Sequence, residues 1–176
     1  MENNNKPQHM TSLHGDVMVR KNDPRIHFRG LLDGAMADTG FGAALALSEG
    51  NVRLCEALGD INRCLMAIMS AHVRRCEPEL PCVAGRDMEL LHDMSHNPQK
   101  YFKCGHFIPS PEDGLSLSWL NVIRTRVRDV ERALISAYDG EPNEKLCRAV
   151  NRVSSAVYVL TVSYTHLRAH ETLRHL

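Results

Sequence analysis

Several common features are missing from this chain of 176 residues, and each absence narrows its class. Basic and acidic residues are equal in number, 21 of each, so no excess positive charge is available to hold a nucleic-acid backbone. The six cysteines form no CxxC pair and lack the dense spacing of a small secreted domain. We find no signal peptide and no apolar run long enough to span a bilayer. These absences predict a cytoplasmic protein with reduced thiols and with neither nucleic-acid nor membrane partners.

A helical pattern is what the chain does have. With 43% apolar and 24% charged residues, it is long enough to form one globular domain with a hydrophobic core. Convincing strand alternation is absent, so we expect an all-α fold, a bundle of four or five helices. Asp23 is the expected N-cap of the first helix, and Pro24 takes its first position. The predicted helices cover residues 24–48, 52–75, 86–93, 111–138 and 143–160.

Three segments are predicted along the chain. Residues 1–22 form a polar lead, and residues 23–161 form the bundle. Residues 162–176 are predicted to be non-native, because VSYTHLRAHET reads like a translated sequencing adapter. The alternative is an amphipathic C-terminal helix that uses Leu167, Leu173 and Leu176.

A run of arginines in the fourth predicted helix is the most informative motif. Arg124, Arg128 and Glu131 fall in a stripe about 60° wide that borders the apolar positions Leu120, Val127 and Leu134. Arginine at the edge of a core needs a partner, and its planar fork matches phosphate. The motif therefore predicts a site for a polyanion. The alternative is a solvated face held by i,i+3 ion pairs such as Arg128 with Glu131.

A second polar stripe lies on the last predicted helix. Its members Asn151, Ser154, Ser155 and Tyr158 follow the spacing i, i+3, i+4, i+7 and so share one face. Small residues there can admit a ligand or another helix. We favour a ligand contact for Asn151 and leave both alternatives open for the two serines.

Histidines between the third and fourth predicted helices allow a metal site to be drawn. His92 and His96 are one helical turn apart, with Cys104 and His106 further on. The alternative is that His96 caps the carbonyl end of a helix, where a histidine favours the negative end of the dipole. Because no tight CxxC pair accompanies them, we favour the cap and predict no metal-binding residue.

Four blocks carry a resemblance to a known family. They cover residues 6–21, 23–33, 95–109 and 124–158, and include the motifs KPQHMTSLHG, SHNPQKYF and NRVSSAVY. In this order the blocks resemble the corrinoid adenosyltransferases, most closely the ethanolamine-utilisation type. The resemblance covers nearly everything from Lys6 to Leu160.

The resemblance implies an activity. The 5′-deoxyadenosyl group of ATP would pass to the cobalt of reduced cob(I)alamin, releasing triphosphate and supplying adenosylcobalamin for ethanolamine catabolism. ATP and the corrinoid are the implied substrates and Mg²⁺ the implied cofactor, while a need for a divalent transition metal stays open. A homo-oligomer with sites between subunits is also implied, with microcompartment-associated enzymes as candidate partners and a bacterial microcompartment as a candidate location. The alternative is a non-catalytic helical scaffold or sensor that binds the adenosylated corrinoid.

The resemblance also assigns residues to the triphosphate and the nucleotide. Lys21 and Arg128 look like triphosphate contacts, with Arg25 as a further candidate. Glu131 is expected to orient Arg128 or to serve the cluster of metal and phosphates. Asn151 resembles the nucleotide-contacting asparagine of the family.

The other roles concern the helices and the corrinoid. Asp33 and Arg124 resemble an ion pair between the first helix and the arginine-bearing helix. Phe107 matches the aromatic residue that presses on the corrinoid face and keeps a lower ligand off cobalt. The chain departs from the family in two places. It lacks the metal-binding cysteine segment of the ethanolamine type, and of the phosphate loop of the propanediol type it keeps only Thr11, Ser12 and Gly15.

Overall fold

The computed structural model describes residues 7–105, 108–138 and 143–172, and the side chains of its last helix as far as Thr165. Within these ranges the chain forms a β-hairpin and six α-helices. A short 3-10 helix (Pro111–Asp113) precedes the fifth of these α-helices. The elements are β1 (Met10–His14), β2 (Val17–Arg20), α1 (Pro24–Ser48), α2 (Val52–Arg74), α3 (Met88–His96), α4 (Pro98–Phe102), α5 (Leu115–Ala137) and α6 (Glu144–Thr172).

The four long helices form a bundle. Helix α1 packs on α2 and α5, α6 packs on the same two helices, and α3 lies against α6. The core-facing residues predicted for α5 and α6 are all buried, namely Leu120, Val127, Leu134, Leu146, Val150, Val153, Val157 and Leu160. The predicted all-α bundle is therefore confirmed. No helix among the described residues is both long and apolar enough to cross a membrane.

The first helix begins as its sequence predicts. The Asp23 carboxylate accepts a hydrogen bond of 2.9 Å from the amide of Arg25, and Pro24 occupies the first position. Asn51 caps α2 in the same way, accepting from the amide of Leu54 at 3.1 Å. Each side chain satisfies an amide that lacks a partner within its own helix.

The hairpin was not predicted. Its antiparallel strands turn at Gly15, whose φ of 52° is in the region that favours glycine. Ser12 Oγ donates to the Gly15 carbonyl at 2.8 Å, and Arg29 of α1 donates to the Leu13 carbonyl. The strands are too short to show a clear alternation, and contacts with α1 and the buried Leu13 side chain hold them against the bundle.

Two helix boundaries differ from the prediction. Helix α5 starts only at Leu115, because Gly114, with φ 100°, separates it from the 3-10 helix. Helix α6 runs past the expected end at Leu160 and through the segment boundary predicted at residue 162. Val162 is buried and Tyr164 packs against the core. A non-native origin of residues 162–176 stays a prediction.

Candidate active site

The predicted arginine stripe and the predicted asparagine stripe face one cleft. This arginine cleft has a volume of about 380 Å³ and opens between α5, α6 and the end of α3. Its lining consists of Arg124, Arg128 and Glu131 from α5, Asn151, Ser154, Ser155 and Tyr158 from α6, and Ser95 and His96 from α3. Packing of α5 on α6 thus joins residues that are distant in sequence.

The two arginines of the cleft are close enough to affect each other. Burial lowers the pKa of Arg124, and the positive charge of Arg128 lowers it further. Arg124 donates from Nε and Nη2 to Asn121 Oδ1, at 3.1 and 2.9 Å, which fixes its guanidinium without neutralising it. Since guanidiniums stay protonated, the cleft concentrates positive charge that an anion can offset.

Glu131 is oriented by α6. Asn151 Nδ2 donates to Glu131 Oε1 at 3.4 Å across the two helices. Within the described residues no hydrogen bond or ion pair joins Glu131 to Arg128, whereas Asp129 and Arg132 of the same helix do form an i,i+3 ion pair on its solvent side. The roles expected for Glu131, to orient Arg128 or to serve the cluster of metal and phosphates, stay predictions. The amide partner on α6 holds the carboxylate, and Arg128 stays exposed at the cleft.

Side-chain hydrogen bonds hold helix α3 against α6 beside the cleft. Arg152 donates from two nitrogens to the two carboxylate oxygens of Glu89, both at 2.9 Å. His92 Nδ1 lies 3.1 Å from Ser155 Oγ, and burial lowers the pKa of this histidine. A bidentate pair fixes orientation as well as distance, so α3 is held with its last turn over the cleft.

The histidine at the end of α3 takes the capping role. His96 Nδ1 lies 3.0 Å from the His92 carbonyl and 3.0 Å from Ser95 Oγ. Among the described residues no group of three potential metal ligands comes together, and His106 lies outside them. Sequence reasoning considered His96 only for metal or capping and missed that it and Ser95 also line the arginine cleft. The signal was the polar Ser-His-Asn-Pro run, whose position beside α5 depends on long-range packing.

The ion pair expected between Asp33 and Arg124 is absent from the described residues of the single chain and stays a prediction. Arg124 bonds Asn121, and Asp33 is exposed with no ion pair to Arg124. The ion pair that joins α1 to α5 is Asp38 with Arg126, at 2.9 Å. Contacts of Asp38 with Arg126, and of Glu49 with Ser116, set the antiparallel register of the two helices. That register places Asp33 nearer the level of Glu131 than that of Arg124.

Two other predicted site residues, Lys21 and Arg25, do not line the arginine cleft, and a third cannot be placed. Lys21 is exposed directly after β2. Arg25 donates to both oxygens of Asp23, at 2.9 and 2.8 Å, and lines a separate cleft at the end of the bundle. Phe107 lies outside the described residues.

Comparison of the sequence with known protein families identifies the family of this chain. The profile of the family described as cobalamin adenosyltransferase matches residues 2–164. The chain belongs to the cobalamin adenosyltransferase family. This membership confirms the resemblance carried by the four sequence blocks.

Two curated relatives illustrate the likeness within the family. Corrinoid adenosyltransferase EutT of Escherichia coli (strain K12) is 33% identical over 165 residues. Its counterpart in Salmonella typhimurium (strain LT2) is 34% identical over 161 residues. Each comparison covers 89% of this chain but 59% of the relative, so the chain spans less than two thirds of the length of either protein.

Proposed function

We propose that this protein transfers the 5′-deoxyadenosyl group of ATP to the cobalt of reduced cob(I)alamin and releases triphosphate. The observation that carries the proposal is the arginine cleft, where Arg124 and Arg128 of α5 face Asn151 of α6. Family membership and the corrinoid adenosyltransferase relatives support the same reaction.

The chemistry of the reaction explains why such a cleft is needed. The cobalt electron pair attacks the 5′ carbon of ATP, a cobalt–carbon bond forms, and the carbon–oxygen bond breaks with its electron pair leaving on triphosphate. The reduced cobalt is already a strong nucleophile, so the protein contributes alignment and charge stabilisation. Fixed guanidiniums near the leaving oxygens stabilise the negative charge that grows there.

Roles for the individual residues follow from their positions. Arg128 is exposed at the cleft and free of any ion pair among the described residues, so it can bind phosphate oxygens directly. Arg124, half-buried and fixed by Asn121, adds charge behind it. The Asn151 amide donates to Glu131 and has a second N–H for a nucleotide.

A magnesium ion fits this set of residues. Mg²⁺ in nucleotide sites is bound by one or two carboxylates together with substrate phosphates. Glu131 is the carboxylate of the described cleft lining and would supply its protein ligand. The ion would neutralise part of the phosphate charge.

We further propose that the working form is a homo-oligomer with sites between subunits. Arg128 lies more than two helical turns before the end of α5, which is about 13 Å along the axis. Lys21 precedes α1, whose first turn lies beside that end of α5. Lys21 and Arg128 are therefore well separated along the bundle axis of one chain, and a second copy of the chain could bring its Lys21 to the Arg128 of the first.

The biological setting is proposed on the relatives alone. Their EutT designation implies ethanolamine utilisation. On that basis we propose a location in the cytoplasm or in a bacterial microcompartment, together with the enzymes associated with it.

A corrinoid assay tests the proposed reaction. Purified protein is mixed with ATP, Mg²⁺ and chemically reduced corrinoid, and formation of a light-sensitive adenosylcorrinoid is followed by absorbance. Formation of this product with stoichiometric triphosphate is the expected result. Tight binding of the adenosylated corrinoid without turnover would refute the proposed enzymatic activity. It would favour a non-catalytic scaffold or sensor instead.

A further inference from the structure

A second cleft lies at the end of the bundle, on different residues from the arginine cleft. This bundle-end cleft has a volume of about 460 Å³. Every long helix borders it: Arg25 and Arg29 start α1, His72 and Arg75 end α2, and Tyr138 follows α5. The turn of the hairpin adds His14, and Asn143 adjoins α6. None of the residues assigned to the arginine cleft contributes to it.

The described lining of this cleft is cationic. Three arginines and two histidines line it, and no carboxylate is among the lining residues that the structure describes. Asp23 neutralises Arg25 through two hydrogen bonds. The Nη2 atom of Arg75 lies 3.4 Å from His14 Nε2, and Arg29 donates to the Leu13 carbonyl. Two guanidiniums, those of Arg29 and Arg75, therefore have no carboxylate partner among the described residues.

Arg29 gives an independent sign that a ligand is expected. Its Nε is buried and has no hydrogen-bond partner among the described residues. A buried donor left unpaired costs roughly 1–3 kcal/mol, so native structures seldom keep one without a reason. Burial lowers the pKa of Arg29 and the charge of Arg25 lowers it further. Because Nε itself is out of reach of a ligand in the cleft, an anion would act on the guanidinium charge, which it would stabilise against burial and against the repulsion from Arg25.

The positive charge of the bundle-end cleft also affects the titratable side chains beside Arg29. Burial, followed by the charges of Arg29, Arg25 and His14, lowers the pKa of His72 to about 4. Its Nδ1 lies 3.1 Å from the Tyr138 hydroxyl, which leaves that neutral pair as polar lining beside the guanidiniums.

We propose that the bundle-end cleft is a second anion site, which binds an oligophosphate such as inorganic triphosphate between Arg29 and Arg75. Two separated guanidiniums match a ligand with several charged groups better than they match a single phosphate. A cavity of about 460 Å³ is in the range of small-molecule sites. The proposal concerns residues outside the arginine cleft and does not depend on adenosyl transfer.

Calorimetry with inorganic triphosphate tests this site. The full chain carries Arg128→Ala and Arg124→Ala, which removes both arginines of the arginine cleft from the measured binding. In this background we expect triphosphate to bind, and Arg75→Gln to weaken the affinity roughly tenfold or more. Arg74→Gln is the matched control, because Arg74 is the preceding exposed arginine and does not line the cleft. Arg29→Gln should weaken binding as well, with circular dichroism checking that the fold is retained.

Four results would overturn the proposal. The first is absence of binding in the background that carries Arg128→Ala and Arg124→Ala. The second is an equal loss in Arg74→Gln and Arg75→Gln, which would mean unspecific attraction. The third is orthophosphate binding as tightly as triphosphate. The fourth concerns Asp139 and Glu141, which lie in sequence between Tyr138 and Asn143. Binding that appears only after their replacement by Asn and Gln would show that the chain's own acids occupy the cleft.

Discussion

Replacing Arg128 with alanine separates function from fold in this protein. The side chain is exposed and makes no ion pair among the described residues, so its loss should change the free energy of unfolding by no more than about 0.5 kcal/mol. Its removal also relieves Arg124 of a neighbouring positive charge. The helices should therefore stay intact.

The expected effect on the reaction is much larger. Removing one fixed donor to developing negative charge costs about 2.7–4 kcal/mol of transition-state stabilisation, or a rate loss of roughly 100-fold to 1000-fold. A loss at the upper end is expected, because Arg124 is tied to Asn121 and cannot readily take over the position of Arg128.

The assay compares the Arg128→Ala protein with a matched control. Initial rates of adenosylcorrinoid formation are read from the absorbance change, and calorimetry measures ATP affinity. Arg132→Ala is the control, because Arg132 is an exposed arginine one turn further along α5 that pairs with Asp129 outside the cleft. Unchanged turnover in Arg128→Ala, or an equal loss in both variants, would refute the role given to Arg128.

Three further predictions concern packing, pH and the corrinoid. A Cβ at Gly42 would meet the side chains of Ile123 and Trp119 at 3.0 Å, so Gly42→Val should cost about 1–3 kcal/mol in urea unfolding, and an unchanged midpoint would contradict this close approach. Burial and nearby arginines lower the pKa of His72 from 6.5 to about 4, so the unfolded chain binds more protons between these values. Stability should therefore fall by on the order of 3 kcal/mol as the pH drops through that range, and His72→Gln should flatten the fall; a slope that persists in the variant would assign it elsewhere. Phe107→Ala should keep ATP affinity but slow adenosylation of the corrinoid, and undiminished turnover would remove Phe107 from the site.

Local chemistry made much of the fold predictable. Asp23 and Pro24 mark the start of α1 because a capping carboxylate and a fixed φ act within one turn. The buried faces of α5 and α6 follow from the helical spacing of their apolar residues, which is visible within each segment of sequence. The two polar stripes were predictable for the same reason, since Arg124 with Arg128, and Asn151 with Ser154, each share one face of one helix.

Contacts between distant elements escaped prediction. The stripe on α5 predicts an anion site but not that Glu131 would meet Asn151 of α6, because that distance depends on how the two helices pack. The pair Asp38–Arg126 escaped prediction for a similar reason, since the register between α1 and α5 decides which carboxylate lies opposite which arginine.

The sequence by itself determined the long helices, their apolar faces and the charged stripe on α5. Only the tertiary structure decided that Ser95 and His96 join the arginine cleft, and that Arg29 and Arg75 converge on the other end of the bundle. The physical reason is range: capping and periodicity act over a few neighbouring residues, whereas a cleft forms where helices distant in sequence bury their faces against one another.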